Sequence, residues 1–301
     1  MLMKWRYALL AGVAVVSAGA IPLVTAQGHS ASVSALRKTA TGSPTPTATP
    51  LPTRTPMATP TPAFTDQDRA RLTKALKRYL ATREGQASVA IRDLYGGDTF
   101  TYNTALRTAT ASIVKVDILA ALLLRYPHLS DAQRALAVRM IEQSDNNAAT
   151  ALWQEIGSGP GLTAANARMG LKNTIAGPGG YWGSTSTSAF DQLRILNALT
   201  SKRSPLTAAA RRYALGLMSK VEDAQAWGVS AGASDGDTVS LKNGWLPRTS
   251  AGGKWTVNSI GRIHGDAHDF LIAVISQGHS SMATGITTIE HVSQLVTDSL
   301  D

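Results

Sequence analysis

A serine and a lysine lie three positions apart in the segment TASIVKVDILAALLLRY, residues 110–126. Ser112 and Lys115 would share one face of a helix, so the amine can reach the hydroxyl. Ser112 would sit in the first turn, where free backbone N–H groups stabilise developing negative charge. Burial lowers the pKa of a lysine and makes it a base toward serine. A capping serine and a surface lysine explain the same spacing without chemistry, so other residues must decide.

Two further polar tripeptides supply such residues. Ser144-Asp145-Asn146 joins two predicted helices, and Lys242-Asn243-Gly244 lies on a predicted strand. Ser144 can relay a proton to a leaving nitrogen, Asn146 can hold an amide, and Lys242 can attract a carboxylate and tune Ser144. Each tripeptide alone is typical of a turn, a helix cap or a strand end. Their order and their placement on separate elements indicate one substrate cleft.

The elements that must position these residues predict an α/β (α+β) domain. Thr65 and Asp68 form a capping box for a helix over 66–84, and Tyr95-Gly96-Gly97 is typical of a tight turn between two strands. Strands at both ends of the domain predict one antiparallel sheet with terminal helices, beside an all-helical subdomain. Further helices are predicted over 112–126, 131–143, 146–156, 162–169, 188–200, 207–219 and 283–299, and late strands over 238–245, 255–263 and 270–276.

The N-terminal region has the composition of an export signal followed by a spacer. Residues 1–26 are predicted to be a signal peptide or signal anchor, because Lys4 and Arg6 precede an apolar run that ends at small residues. Residues 27–63 are rich in Pro and Thr and are predicted to form a disordered linker. Residues 64–301 would then be the catalytic domain of a secreted or extracytoplasmic protein, which an uncleaved leader would anchor to the membrane.

Composition argues against several classes of function. The chain has no cysteine, which excludes a disulfide framework and a thiol nucleophile, and no metal or cofactor is expected. Much of the formal net charge of +9 belongs to the leader and the linker, because five basic residues precede the first acidic residue, Asp66. No basic cluster is interleaved with aromatic residues as on a nucleic-acid surface. A small-molecule substrate, proximity to the cell envelope and a monomeric state are predicted.

The three motifs resemble those of the penicillin-recognising serine hydrolases, and among them the class A β-lactamases, whose motifs S-x-x-K, S-D-N and K-[ST]-G occur in this order. The resemblance runs through about residues 66–300 and includes STSTSAFDQLRIL. The resemblance implies that Ser112 is the acylated nucleophile and that Lys115 is its base or proton relay. Ser144 and Asn146 would form the second wall of the substrate cleft, and Lys242, Asn243 and Gly244 the third. The backbone N–H groups of Ser112 and Trp245 would form the oxyanion hole.

Three departures from the family pattern predict a divergent member. Residues 173–190, where the family carries its deacylating glutamate, contain no Asp or Glu. The water that attacks acyl-Ser112 would be activated by Lys115, by Tyr181 or by no residue, so deacylation is predicted to be slow. Asn243 replaces a hydroxyl residue that helps to hold a β-lactam carboxylate. The first two motifs lie closer together than is usual, which predicts a trimmed helical hairpin and a more open cleft.

The sequence leaves several alternatives open. GVSAG, residues 228–232, matches a serine elbow but is not followed by the helix that an elbow requires. His264, His268 and Asp269 are metal-like ligands in what is typical of a hairpin turn. Tyr181 and Trp182 can contact substrate or line the core. Arg248 and Lys254, near the third motif, can bind a carboxylate, but their charge is equally explained by solvation at the surface. The alternative functions are a penicillin-binding peptidase and a non-catalytic envelope module that binds muropeptide or D-amino-acid ligands.

Overall fold

A computed structural model describes residues 65–300 of the chain, where eight α-helices accompany one large sheet and one small one. The helices are α1 Asp66–Leu80, α2 Val114–Arg125, α3 Asp131–Glu142, α4 Asn146–Glu155, α5 Ser158–Arg168, α6 Ala189–Thr200, α7 Ala208–Met218 and α8 Met282–Thr297. The strands are β1 Gln86–Asp93, β2 Thr99–Tyr102, β3 Thr108–Ala109, β4 Ser186–Thr187, β5 Thr238–Arg248, β6 Lys254–His264 and β7 Asp269–His279. The predicted leader and linker lie outside the described residues.

The main sheet has five antiparallel strands in the order β2-β1-β7-β6-β5. Strand β1, from the beginning of the domain, pairs with β7 from its end, which confirms the predicted antiparallel sheet. Strand β5, which carries the third motif, lies at the edge of the sheet. Strands β3 and β4 pair with each other in a separate small sheet, in which Thr108 lies opposite Thr187.

The two faces of the main sheet bury different cores. Val89 and Ile91 on β1 belong to a core shared with α1 and α8, whereas Ala90 between them belongs to the core of the helical layer. This alternation follows from the two-residue period of a strand. Helix α2 is apolar and buried along most of its length, so it is the central helix of that layer. The Ser112-to-Lys115 motif therefore leads directly into the most buried helix of the domain.

Some element boundaries differ from the predicted ones. Helix α1 ends at Leu80 and not at residue 84. Helix α5 begins at Ser158 and not at residue 162, because Gly157 takes a positive φ of 93° and turns the chain directly from α4 into α5. Pro160 falls in the first turn of α5, where its missing N–H has no helical partner to lose. No helix within residues 65–300 is long and apolar enough to cross a membrane.

Candidate active site

Ser112 lies in a short 3-10 turn, Ala111–Ile113, immediately before α2. Ala111 has a φ of 49°, a left-handed conformation that residues other than glycine and Asn rarely adopt. Such strain is typical of functional sites, because the surrounding structure must hold it in place. The turn leaves Ser112 partly exposed between two buried neighbours. The predicted position at the start of the helix is therefore observed, with a 3-10 turn in place of the first helical turn.

Asn258 on β6 fixes the segment that leads into this turn. Its Nδ2 donates to the carbonyl oxygens of Ala109 at 2.9 Å and Thr110 at 3.0 Å. Its Oδ1 accepts from the backbone N–H of Ser276 on β7 at 3.1 Å. Asn258 is fully buried, so these bonds do not compete with water. The path of the chain into Ser112 is thus tied to two interior strands of the sheet.

The Lys115 amine joins the first motif to the second. Its Nζ lies 3.0 Å from Ser112 Oγ, 2.9 Å from Ser144 Oγ and 2.6 Å from Ser144 O. Asn146 Oδ1 accepts a further hydrogen bond at 2.8 Å. The residues of the S-x-x-K and S-D-N motifs therefore meet around one nitrogen atom, with Lys115 close enough to both hydroxyls to move a proton between them.

Both lysines of the motifs have lowered pKa values. Burial lowers the pKa of Lys115 to about 7, and the negative charge of Asp145 opposes this effect. Burial likewise lowers the pKa of Lys242 to about 7, the positive charge of Lys115 lowers it further, and Glu222 opposes both. Two amines that repel each other titrate as a pair. The site can therefore hold one neutral amine beside one ammonium near neutral pH.

Local structure explains the geometry of the second motif. Asp145 caps α4: its Oδ1 accepts from the N–H groups of Asn147 at 2.7 Å and Ala148 at 2.9 Å. Its Oδ2 accepts from Arg139 Nε at 3.0 Å. Ser144 has a φ of 56°, a left-handed turn that brings both its hydroxyl and its carbonyl to Lys115. Asp145 is therefore structural, and its two neighbours in the motif face the cleft.

Strand β5 forms the third wall of the cleft, beside the turn that carries Ser112. A Cβ added to Gly244 would lie 2.5 Å from Ser112 N and 2.7 Å from Thr110 O, so only glycine allows this approach. Trp245, the predicted donor to an oxyanion, follows on the same edge strand. The Nζ of Lys242 donates to Asn243 O at 3.1 Å and Gln225 Oε1 at 3.4 Å, and these bonds hold it within the buried part of the site.

The predicted contact of Asn243 with substrate needs correction. Its side chain is 0% exposed, and its Nδ2 donates to the backbone oxygens of Gln225 at 2.7 Å and Trp227 at 2.8 Å. Successive strand residues point to opposite faces, so Asn243 faces away from the side shared by Lys242 and Gly244. Asn243 therefore supports the segment behind β5 and does not contribute a ligand to the cleft.

Two further residues lie near the lysines: Trp182, which the sequence indicates as a candidate substrate contact, and Gln225, which carries no sequence signal. The ring of Trp182 lies 5.0 Å from Lys115 Nζ, and its Nε1 donates to Thr150 Oγ1 at 3.1 Å. Gln225 contacts Lys242, and its Nε2 donates to Gln143 O at 3.2 Å, which links the third motif to the residue before Ser144. The neighbouring Tyr181, the other predicted substrate contact on this loop, is 74% exposed.

The segment over 173–190 is held by Asp191, the acid that follows it. The carboxylate of Asp191 is fully buried and satisfied by donors from both sides, so it is not free to activate water. These donors are Lys172 N at 3.0 Å, Asn173 N at 2.6 Å, Thr174 Oγ1 at 2.9 Å and Arg194 NH1 at 2.6 Å. The loop therefore has a rigid beginning but supplies no carboxylate to the cleft.

Asp117, two residues after Lys115, is a buried acid outside this cluster. It is 0% exposed, and only Gln192 Nε2, at 3.4 Å from Oδ2, donates to its side chain among the described residues. Burial raises the pKa of Asp117 to about 8; the Gln192 hydrogen bond opposes this, and the charge of Asp191 adds to it. Asp117 is therefore a neutral acid at neutral pH.

We expect the Asp117→Asn variant to be more stable than the wild type, by an amount that grows as pH rises. Because its folded pKa lies above the ordinary value of 3.8, the folded state binds this proton more tightly than the unfolded state. The stability linked to that proton is complete below pH 3.8 and is lost as pH rises through about 8. Asparagine has no such proton. Urea unfolding at several pH values across this range measures the effect, and the exposed Asp235→Asn is the control. If the free energies of unfolding of Asp117→Asn and the wild type change with pH in the same way, the prediction is wrong.

The two rival motifs do not assemble a second site. Ser230 of GVSAG lies in a short 3-10 turn, Val229–Gly232, and its Oγ donates to Ala226 O at 2.7 Å, so the strand-turn-helix context of an elbow is missing. His268 contacts Asp237 at 2.9 Å, and Asp269 pairs with Arg262 at 2.6 Å. His264 lies 3.7 Å from the same Asp269 carboxylate, so only two of the three predicted ligands meet. Within residues 65–300 no three His, Cys, Asp or Glu side chains are grouped to hold a metal ion.

The fold is that of the class A β-lactamases, within the penicillin-recognising serine hydrolases. A class A β-lactamase from Bacteroides cellulosilyticus superposes with a TM-score of 0.68 at 16% identity, over 77% of this chain and 98% of that one. A β-lactamase from Streptosporangium roseum superposes with a TM-score of 0.65 at 20% identity, over 77% and 98%. The sequence matches the model of the beta-lactamase enzyme family over residues 71–126 and 132–300, and the chain belongs to that family.

A curated relative is similar over part of its length. The protein named "Putative lipoprotein LppW" of Mycobacterium tuberculosis is 29% identical over 211 residues. The match covers 67% of this chain and 66% of that protein, so the chain spans just under two-thirds of the relative.

Proposed function

We propose that this protein is an exported serine hydrolase that forms an acyl-enzyme at Ser112 with a β-lactam or a related amide or ester, and releases the acyl group slowly. The observation that carries this proposal is the Lys115 amine, which contacts the hydroxyls of Ser112 at 3.0 Å and Ser144 at 2.9 Å. A lysine with a lowered pKa between two hydroxyls can take a proton from a nucleophile and pass it to a leaving group.

Acylation then proceeds as follows. Ser112 Oγ attacks the substrate carbonyl, and its proton moves to neutral Lys115. The N–H groups of Ser112 and Trp245 stabilise the oxyanion. The C–N or C–O bond breaks as Ser144 Oγ gives its proton to the leaving atom, and Lys115 returns a proton to Ser144. Charged Lys242 attracts a carboxylate on the leaving group, and Asn146 holds an amide of the acyl group.

Slow release follows from the residues beside the ester. Hydrolysis needs a base for the incoming water, and residues 173–190 contain no carboxylate. The indole of Trp182 lies against Lys115 and covers one side of the amine. Loss of a general base typically costs roughly 10²- to 10⁴-fold in rate. The acyl-enzyme is therefore expected to accumulate.

Mass spectrometry after incubation with a panel of β-lactams tests the proposal. We expect a stoichiometric adduct on the wild type and none on Ser112→Ala, because the hydroxyl is the nucleophile. Ser230→Ala, which changes the serine of GVSAG, is the matched control and should label like the wild type. If no panel member forms an adduct and a chromogenic cephalosporin is not turned over, the proposed function is wrong and only the shared fold remains.

Replacing Trp182 with glutamate should speed deacylation. The new carboxylate would stand where the indole now lies, near Lys115, and can activate water. The same charge should raise the pKa of Lys115 and slow acylation, so the two steps must be measured separately by pre-steady-state kinetics. Trp182→Gln is the control, because glutamine has nearly the same shape as glutamate but no charge. Equal deacylation rates in the two variants would mean that water activation is not the slow step.

The location of the protein is proposed on two grounds. The leader predicts export, and a relative bears the name of a lipoprotein. We therefore place the domain outside the cytoplasm, at the cell envelope, with the Pro/Thr-rich segment as its spacer.

A further inference from the structure

A surface pocket lies on the same face of the sheet as the nucleophile, beyond the end of the motif residues. Gly244 lies opposite Asn258, and Leu246 lies opposite Thr256, which in turn lies opposite Gln277. Residues that are directly opposite share one face of a sheet. Because Asn258 bonds to Thr110, this face is the one that carries Ser112.

The pocket has a volume of about 440 Å³, which lies in the range of small-ligand sites. Arg248, at the end of β5, lies four residues beyond Gly244 on the same face, about 13 Å away at the rise of a strand. Lys242 lies on the other side of Gly244. The pocket therefore lies along β5 on the side of Gly244 away from Lys242, the residue proposed to meet the leaving group. Its lining includes Arg248, Lys254, Thr256, Gln86 and Gln277.

The chemistry of the lining favours an anion. The guanidinium of Arg248 has no hydrogen-bond or ion-pair partner among residues 65–300. Thr256 is 1% exposed, and its Oγ1 also lacks a partner among those residues, which costs free energy unless something binds it. Lys254 differs, because its Nζ lies 3.3 Å from the carboxylate of Glu84 and is already paired. One unpaired cation and one unpaired hydroxyl thus remain for a ligand.

We propose, on the basis of the function proposed above, that this pocket binds a carboxylate at the far end of the acyl group of the substrate. The guanidinium of Arg248 can hold a carboxylate with two parallel hydrogen bonds, and Thr256 can donate a third. The carboxylate of a bicyclic β-lactam lies only a few bonds from the reacting carbonyl, too near to span about 13 Å along the strand. The preferred substrate is therefore an extended, peptide-like acyl donor with an anionic end.

Acylation kinetics with a matched pair of chromogenic thioesters test this inference. Both carry the same extended acyl chain, which ends in a carboxylate in one and a carboxamide in the other. The wild type should acylate about tenfold or more faster with the carboxylate, the scale of a hydrogen-bonded charge. Arg248→Gln should lose most of this preference, Thr256→Val should lose part of it, and the exposed Arg203→Gln should keep it.

Two further measurements separate this inference from the proposed function. A short acetyl thioester, which cannot reach the pocket, reports whether Ser112 is acylated at all. If it labels Ser112 while the matched pair react equally, the pocket inference is wrong and the proposed function stands. If no thioester reacts, calorimetry with Ser112→Ala measures the affinities of the corresponding unreactive carboxylate and carboxamide peptides. Equal affinities would overturn the proposal that the pocket binds a carboxylate. The same conclusion would follow if Ser112→Ala prefers the carboxylate and still does so after the further change Arg248→Gln.

Discussion

Replacement of Lys115 with methionine is expected to slow acylation of Ser112 by roughly 10²- to 10⁴-fold, the range for loss of a general base. Methionine fills nearly the same volume but cannot accept the serine proton. The amine contacts Ser112, Ser144 and Asn146, so the variant also loses the connection between the first two motifs. Stopped-flow acylation by a reactive ester measures the effect, and the exposed Lys172→Met is the control.

The pH dependence of acylation separates this role from a structural one. Neutral Lys115 is the base, so the rate should rise about tenfold per pH unit below its pKa of about 7 and level off above it. A substrate with a leaving-group carboxylate also needs charged Lys242, whose pKa is about 7, so its profile should fall again at higher pH. An ester without that carboxylate should show the rising limb alone. Identical profiles for the two substrates would contradict the division of roles between the lysines.

Replacement of Gly244 with alanine is expected to destabilise the domain by about 1 to 3 kcal/mol and to abolish most acylation. The added Cβ would lie 2.5 Å from Ser112 N and 2.7 Å from both Ile113 N and Thr110 O. These are backbone atoms, so either β5 or the nucleophile turn must move, and the distance between Ser112 and the N–H of Trp245 changes with it. Denaturant unfolding and acylation rates measure the two effects.

Gly216→Ala provides the matched control. Gly216 lies within α7, and a Cβ there would meet nothing within 4 Å. Alanine in a helix interior is favoured over glycine by up to about 1 kcal/mol, so this variant should be more stable than the wild type and equally active. Similar behaviour of the two glycine variants would show that close contact with the nucleophile turn is not the cause.

The architecture was predictable where the sequence has a strong period. The helices of the central block and the three late strands occur near their predicted positions, because long amphipathic or apolar runs leave few alternatives. Strands β3 and β4 were not predicted, since two-residue strands such as Thr108–Ala109 carry no period and form only through contacts in space. The predicted start of α5 at residue 162 is late, because Gly157 turns the chain with a positive φ and Pro160 is tolerated in the first turn of the helix.

In the candidate site, too, the features with a local sequence pattern were predictable and those that depend on distant contacts were not. Ser112, Lys115 and Ser144 are brought together as their motifs predict, because each motif encodes its own local geometry. Asn243 was misassigned, because the K-[ST]-G pattern fixes a position on the strand but not the partners behind it. The contact of Trp182 with Lys115 depends on how a glycine-rich loop folds back, which no local pattern specifies.

The bonds of Asn258 have a mechanical consequence for the reaction. They tether the nucleophile to strands in the middle of the sheet, whereas Ser144 and Asn146 belong to the helical layer. Lys115 connects these two parts of the domain, because its Nζ lies 3.0 Å from Ser112 Oγ and 2.6 Å from Ser144 O. The same nitrogen that is proposed to transfer the proton thus also holds the sheet and the helical layer together at the site, so a change in its protonation would change the hydrogen bonds between them.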